Sequence, residues 1–118
     1  MRARHVVLAL CGAGALAGIG LVAYRRTHLS HRHVTRTSCM TLRTGAISWR
    51  ADHPGSPCPT PDQVQKDGFL DPDFRTADRW GNAFLLRCTD KDITCSSAGP
   101  DRRWGTADDV VVAVPEVR

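Results

Sequence analysis

Apolar and polar positions divide the chain into an apolar N-terminal run and a longer part of mixed pattern. The run extends from Val6 to Tyr24 and contains no charged residue. A helix needs about 20 apolar residues to cross a bilayer, so the run predicts a transmembrane anchor over residues 1–24. Its glycines would weaken a helix in water but are tolerated in lipid.

Two processing alternatives compete with an uncleaved anchor. Cleavage of a secretory signal after Ala17 would match the small residues around it, but the apolar run continues beyond that point. Acylation at Cys11 would make a lipoprotein, but Leu10 stands where a small residue is expected. We therefore favour the uncleaved anchor.

Residues 35–50 have the spacing of an amphipathic helix. Its apolar positions recur at intervals of three and four residues, which places them on one face that we expect to be core. They are Cys39, Leu42, Ala46 and Trp49. Arginines repeat every seven residues on another side, at Arg36, Arg43 and Arg50. Gly45 costs about 1 kcal/mol relative to alanine inside such a helix.

Shorter elements follow this helix. Residues 60–63, Thr-Pro-Asp-Gln, form a capping-box pattern and predict a short helix that ends near Gly68. Apolar strands are predicted at 83–88, 92–96 and 110–114, with a hairpin tip at 90–92. The order predicts an α+β fold, a long helix packed on a small three-stranded antiparallel sheet. We expect Trp80 to be largely buried between helix and sheet.

Charge separates the two parts further. The net charge is +4, but all 12 acidic residues lie after residue 50. Arginines on both sides of the apolar run suit lipid headgroups, so residues 25–36 indicate a basic juxtamembrane segment. Because interleaved aromatics are missing, nucleic acid is not an expected partner. The histidines of this segment are expected to be solvated, since no carboxylate supports a metal site there. They are His28, His31 and His33.

Five cysteines are present, and four of them lie after the apolar run. An even number in a small domain is typical of a disulfide framework in an oxidising compartment. Zinc is disfavoured because no C-x-x-C pair occurs. The positive-inside rule alone would place the C-terminal part in the cytoplasm, since more arginines follow the run than precede it. The cysteines favour the opposite orientation, and we follow them.

Three pairings of these four cysteines are possible. We prefer Cys58–Cys88, which would tie the loop after the helix to a strand. Cys39–Cys95 would then pin the helix to the sheet. A cross-strand Cys88–Cys95 bridge inside one hairpin stays open as the alternative.

Residues 99–109 form an acidic segment between the last two strands. Calcium takes six to eight oxygen ligands from carboxylates, carbonyls and water. Asp101 and Asp108 can share one ion if the backbone between them curls, and Gly105 permits tight geometry. The alternative is a turn whose aspartates cap nearby amides.

Several motifs resemble a known family in their order and spacing. They are D-R-W-G-N at 78–82, S-S-A-G-P-D at 96–101 and G-T-A-D-D-V at 105–110. Over roughly residues 37–113 the chain resembles the C-terminal region of the type II secretion major pseudopilins. Members pack a long helix on a small antiparallel sheet, and their last loop binds calcium. Arg102 stands where the family usually has glycine, and Arg79 where it has proline.

The resemblance implies a ligand set and a role. The implied calcium ligands are Asp101, Asp108 and the carbonyl of Ala98, with Asp109 at an often acidic position. Residues 37–118 would be a non-enzymatic, pseudopilin-like domain, since no serine, cysteine or histidine arrangement has a known catalytic spacing. Residues 1–24 lack the usual prepilin cleavage site and its glutamate.

The expected function is that of a structural component associated with type II secretion. Its partners would be other pseudopilin-like subunits or secretion-machinery proteins, together with the membrane through residues 6–24. The expected location is the bacterial inner membrane, crossed once, with the C-terminal domain in the periplasm. The alternative is a stand-alone, membrane-anchored extracytoplasmic binding module that does not polymerise.

Overall fold

One long helix, one short helix and three short strands make up the fold. The structure, a computed structural model, describes the backbone of residues 2–114 and the side chains of residues 17–114. The elements are α1 (Arg2–Asp52), α2 (Pro61–Lys66), β1 (Leu85–Cys88), β2 (Ile93–Ser97) and β3 (Val110–Val112). The strands form one antiparallel sheet in the order β1-β2-β3. The predicted α+β class, with a long N-terminal helix and a three-stranded antiparallel sheet, is confirmed.

The helix α1 extends well beyond the amphipathic stretch predicted from residue 35. It runs through the basic segment 25–36 without interruption. That segment contains neither proline nor glycine, so nothing in it ends a helix. The regular apolar spacing begins only near residue 35, which is why the sequence pattern placed the start there.

The transmembrane span predicted for residues 6–24 is not confirmed. In the part of the chain that the structure describes, no helix combines the length and apolarity needed to cross a bilayer. The described side chains of the run begin at residue 17, and Arg25 and Arg26 follow Tyr24 directly. This portion is shorter than the roughly 20 residues required. Residues 6–16 of the predicted span lie outside the described side chains.

Contacts divide the chain into two units, Met1–His31 and Arg32–Arg118. The second unit holds a core formed by one face of α1 together with α2, the 69–74 loop and the sheet. The apolar core residues of α1 are Cys39, Leu42, Ala46 and Trp49. They meet Val64, Leu70, Phe84, Leu86, Ile93, Cys95 and Val112. The predicted apolar face of the helix is therefore confirmed.

Two arginines of α1 hold the tip of the β1–β2 hairpin. The Arg43 side chain donates from Nε to the Ile93 carbonyl at 2.7 Å and forms an ion pair with Asp92 at 2.5 Å. The Arg50 side chain donates to the Thr89 carbonyl at 2.5 Å. The Arg43 hydrogen bond, the largest cause, lowers the pKa of the Asp92 carboxyl. The seven-residue arginine spacing thus aligns two guanidinium groups with the hairpin.

Both preferred disulfides are present. Cys39–Cys95 joins α1 to β2 with 5.5 Å between the Cα atoms, and Cys58–Cys88 joins the loop before α2 to β1 with 5.6 Å. The alternative Cys88–Cys95 bridge is therefore wrong. Thr60 caps α2 as predicted, because its hydroxyl accepts from the Gln63 amide at 3.2 Å.

Tryptophan burial differs from the expectation. Trp80 is partly buried and is not among the residues packed against the core. Trp49 is only 3% exposed, and its indole Nε1 donates to Asp67 at 2.7 Å. The buried aromatic side chains of the core are instead Trp49 and Phe84, whereas Trp80 belongs to the 78–82 turn.

Gly45 lies where α1 touches the chain after α2. A Cβ at this position would be 2.8 Å from the Phe69 carbonyl oxygen and 2.9 Å from a Leu70 methyl carbon. The helix gains about 1 kcal/mol when a glycine becomes alanine, but overpacking costs about 1–3 kcal/mol. We therefore expect Gly45→Ala to lower the free energy of unfolding by about 1 kcal/mol in urea denaturation.

The helical Gly20 supplies the control for this substitution, since a Cβ there meets nothing within 4 Å. Gly20→Ala should leave the unfolding midpoint unchanged or raise it. A Gly45→Ala variant more stable than the parent would contradict the close contact.

Candidate functional site

The acidic loop, residues 99–109, is the candidate site, and its two ends meet. A Cβ on Gly99 would lie 2.1 Å from the Asp108 carbonyl oxygen. Gly99 also has a φ of 76°, which side chains rarely tolerate. The closure therefore depends on glycine at residue 99. Sequence reasoning singled out Gly105 instead, because the approach of Asp108 is a tertiary contact.

Asp101 accepts two of the hydrogen bonds inside the acidic loop. Its carboxylate accepts from the Thr106 hydroxyl at 2.7 Å and from the Arg103 amide at 3.0 Å. The Thr106 bond, and to a lesser extent the Arg103 bond, lowers the pKa of the exposed Asp101 carboxyl. This part of the loop matches the predicted alternative of aspartates that cap amides.

Asp109 is held differently. One of its carboxylate oxygens accepts from the Gly105 amide at 2.9 Å. The other, Oδ1, is buried and has no hydrogen-bond partner among the described residues. An unpartnered buried carboxylate oxygen is costly, so a donor or a cation at this position would stabilise the loop.

The remaining predicted ligands lie at the two ends of the acidic loop. Asp108 is partly buried and stands two residues before β3, and Ala98 is fully buried directly after β2. The closure at Gly99 brings these ends together. Within the described residues, no group of three or more His, Cys, Asp and Glu side chains is placed to hold a metal ion. Any ion here would therefore need ligands besides these side chains, such as backbone carbonyls or water.

Arginines lie close to the acidic loop. Arg32 of α1 donates to the Asp108 carbonyl at 3.4 Å. Arg102 has a φ of 56°, so it adopts the left-handed backbone that glycine usually supplies. The loop thus keeps a glycine-type conformation at the position where the resembling family has glycine.

A buried aspartate fixes the preceding turn. Asp78 is 2% exposed. Its Oδ1 accepts from the Trp80 amide at 2.9 Å and from the Asn82 amide at 2.8 Å. Its Oδ2 accepts from Asn82 Nδ2 at 2.9 Å and from the Ser97 hydroxyl. Four donors therefore satisfy one buried carboxylate.

The same hydrogen-bond network reaches the acidic loop. Asn82 Nδ2 also donates to the Gly99 carbonyl at 2.9 Å. The Ser97 hydroxyl accepts from the Gly99 amide at 3.1 Å. The 78–82 turn, the end of β2 and the start of the acidic loop are thus tied together. The D-R-W-G-N motif entered the sequence analysis only as part of the resemblance. It also contains a signal for this turn, because an aspartate followed by Gly81 and Asn82 favours a turn capped by the aspartate side chain.

No family model, curated protein or solved structure matches this chain.

Proposed function

We propose that this chain is a non-enzymatic, pseudopilin-like structural subunit associated with type II secretion, whose acidic loop is ordered by calcium. The observation that carries the proposal is the closed acidic loop beside β3, anchored to the D-R-W-G-N turn through Asp78 and Ser97. The resembling motifs, distant in sequence, therefore meet in one place. Their shared hydrogen bonds give a physical reason for their occurring together.

Calcium would be held by oxygen atoms from both ends of the acidic loop. Asp109 Oδ1 is buried and unpartnered, which supports a cation nearby. Asp101 accepts two hydrogen bonds, but an ionised carboxylate has about four acceptor sites, so it retains capacity for an ion. Asp108 and the Ala98 carbonyl complete the proposed ligands. Calcium tolerates such irregular sets of oxygens, whereas magnesium demands tighter octahedral geometry.

The location is part of the same proposal. Residues 6–24 would attach the chain to the bacterial inner membrane, and the C-terminal domain would face the periplasm. Two disulfides in a small domain support an oxidising compartment.

Thermal unfolding of the full-length chain tests the calcium site. A ligand that binds only the folded state at a hundredfold excess over its Kd stabilises that state by about 2.7 kcal/mol. We expect the midpoint to rise in calcium relative to EDTA, and to rise little in magnesium. Asp101→Ala and Asp108→Ala should each abolish the calcium-dependent rise, whereas Asp90→Ala, at an exposed hairpin position, should keep it. An unchanged parent midpoint between EDTA and millimolar calcium would remove the site.

Sedimentation velocity on the same samples tests the structural role. A structural subunit should form multimers that are favoured by calcium and lost in the Asp108→Ala variant. A chain that stays monomeric under every condition would favour the stand-alone binding module instead.

A further inference from the structure

A pocket of about 160 Å³ lies between α1 and residues 75–79. Thr35 and Ser38 line it from the helix, and Arg75 and Arg79 line it from the other side. The pocket lies apart from the proposed calcium ligands, none of which lines it. Its volume suits a single small functional group.

Thr35 is the unusual member of this pocket. It is 1% exposed, and its hydroxyl has no hydrogen-bond partner among the described residues. Other threonines of α1 donate to the carbonyl four residues earlier: Thr27, Thr37, Thr41 and Thr44. A buried hydroxyl without a partner costs about 1–3 kcal/mol. A ligand in the pocket that accepts a hydrogen bond would remove this cost.

The two arginines point to the charge of that ligand. Both are exposed, and neither forms an ion pair with any side chain that the structure describes. Asp78 also lines the pocket, but its carboxylate is occupied by four donors. Two guanidinium groups and one carboxylate leave a single net positive charge. A singly charged anion matches it, whereas a dianionic phosphate would reverse it.

We propose that this pocket binds one carboxylate group, with the guanidinium groups of Arg75 and Arg79 and the Thr35 hydroxyl as its donors. A guanidinium group matches the planar carboxylate with paired N–H donors. The carboxylate belongs either to a free small acid or to an acidic side chain of a protein. This inference does not depend on the proposed secretion role or on calcium.

NMR titration of the 15N-labelled, full-length chain tests the pocket at constant ionic strength. The probes are acetate, a blocked peptide with one glutamate, and inorganic phosphate, each compared with chloride. We expect saturable amide shifts at residues 35–38 and 75–79 for acetate and the peptide, and weaker ones for phosphate. Tighter binding of the peptide would assign the carboxylate to a protein, and equal or tighter binding of acetate would assign it to a free acid.

Variants separate a built site from general attraction. Arg75→Gln and Arg79→Gln should each weaken carboxylate binding about tenfold, and Arg87→Gln, an exposed arginine on β1, should not. Thr35→Val keeps the shape of the side chain, so the fold should survive and binding should fall several-fold, whereas Thr35→Ser should retain it.

Three outcomes would overturn the proposal. They are the absence of saturable shifts, shifts that persist in both arginine variants, and unchanged binding in a folded Thr35→Val chain. If the Thr35→Val chain binds carboxylate unchanged and also melts at a higher temperature, the Thr35 hydroxyl is a buried group that contacts no ligand.

Discussion

Replacement of Asp78 by alanine should lower the free energy of unfolding by at least about 4 kcal/mol, because hydrogen bonds to a charged group contribute about 1.5–3 kcal/mol each and buried donors are costly to leave unpaired. Alanine would remove the acceptor of two backbone amides and two side-chain donors. Domains are stable by only about 5–15 kcal/mol, so this loss would bring the domain near unfolding. Urea denaturation at neutral pH measures it.

Two further variants isolate the cause of the Asp78 effect. Asp78→Asn keeps the shape of the side chain but places an amide group among donors, so about 2 kcal/mol should be lost. Asp90 is exposed at the hairpin tip. Asp90→Ala removes the same charge and should change the free energy of unfolding by no more than about 0.5 kcal/mol. If Asp78→Ala and Asp90→Ala unfolded at the same urea concentration, the Asp78 network would not support the fold.

The local elements of this fold could be predicted from sequence because their signals are short-range. The apolar face of α1 follows from the spacing of Cys39, Leu42 and Trp49, and all three are buried. The start of α2 follows from Thr60, which caps it. The predicted strands 83–88, 92–96 and 110–114 correspond to β1 (Leu85–Cys88), β2 (Ile93–Ser97) and β3 (Val110–Val112), so every boundary agrees to within about two residues. Periodicity and capping chemistry act within a few residues, so one sequence contains them.

The organisation of the candidate site could not be predicted in the same way. Ser97 and Asn82 share the Asp78 carboxylate although 15 residues separate them in the numbering. The requirement for glycine at residue 99 comes from the Asp108 carbonyl, which only the folded loop brings near. A single sequence contains no pattern for such contacts. The resemblance supplied none of these hydrogen bonds.

Loss of the Cys39–Cys95 disulfide should also be severe. The bond closes a sequence separation of 56 residues, for which the chain-entropy relation gives about 4 kcal/mol. For Cys58–Cys88, with a separation of 30, the same relation gives about 3.5 kcal/mol. Replacing both cysteines of either pair by alanine should therefore cost a similar amount of stability through the entropy of the unfolded chain. The first should lose more in total, because Cys39 and Cys95 are fully buried in the core and their removal leaves a cavity.

In the folded chain, the two disulfides should differ more in their accessibility to a reductant than in their contributions to stability. Cys39 and Cys95 are both 0% exposed, whereas Cys58 is exposed beside the partly buried Cys88. A thiolate must reach a sulfur atom to reduce a disulfide, so a mild reductant should open Cys58–Cys88 first. Alkylation at increasing times, followed by peptide mapping, should find label at Cys58 and Cys88 while Cys39 and Cys95 remain joined. Label at Cys39 before Cys58 would mean that the helix leaves the sheet more readily than the packed core allows. Unreduced chain that takes up label at all four cysteines would exclude both bonds.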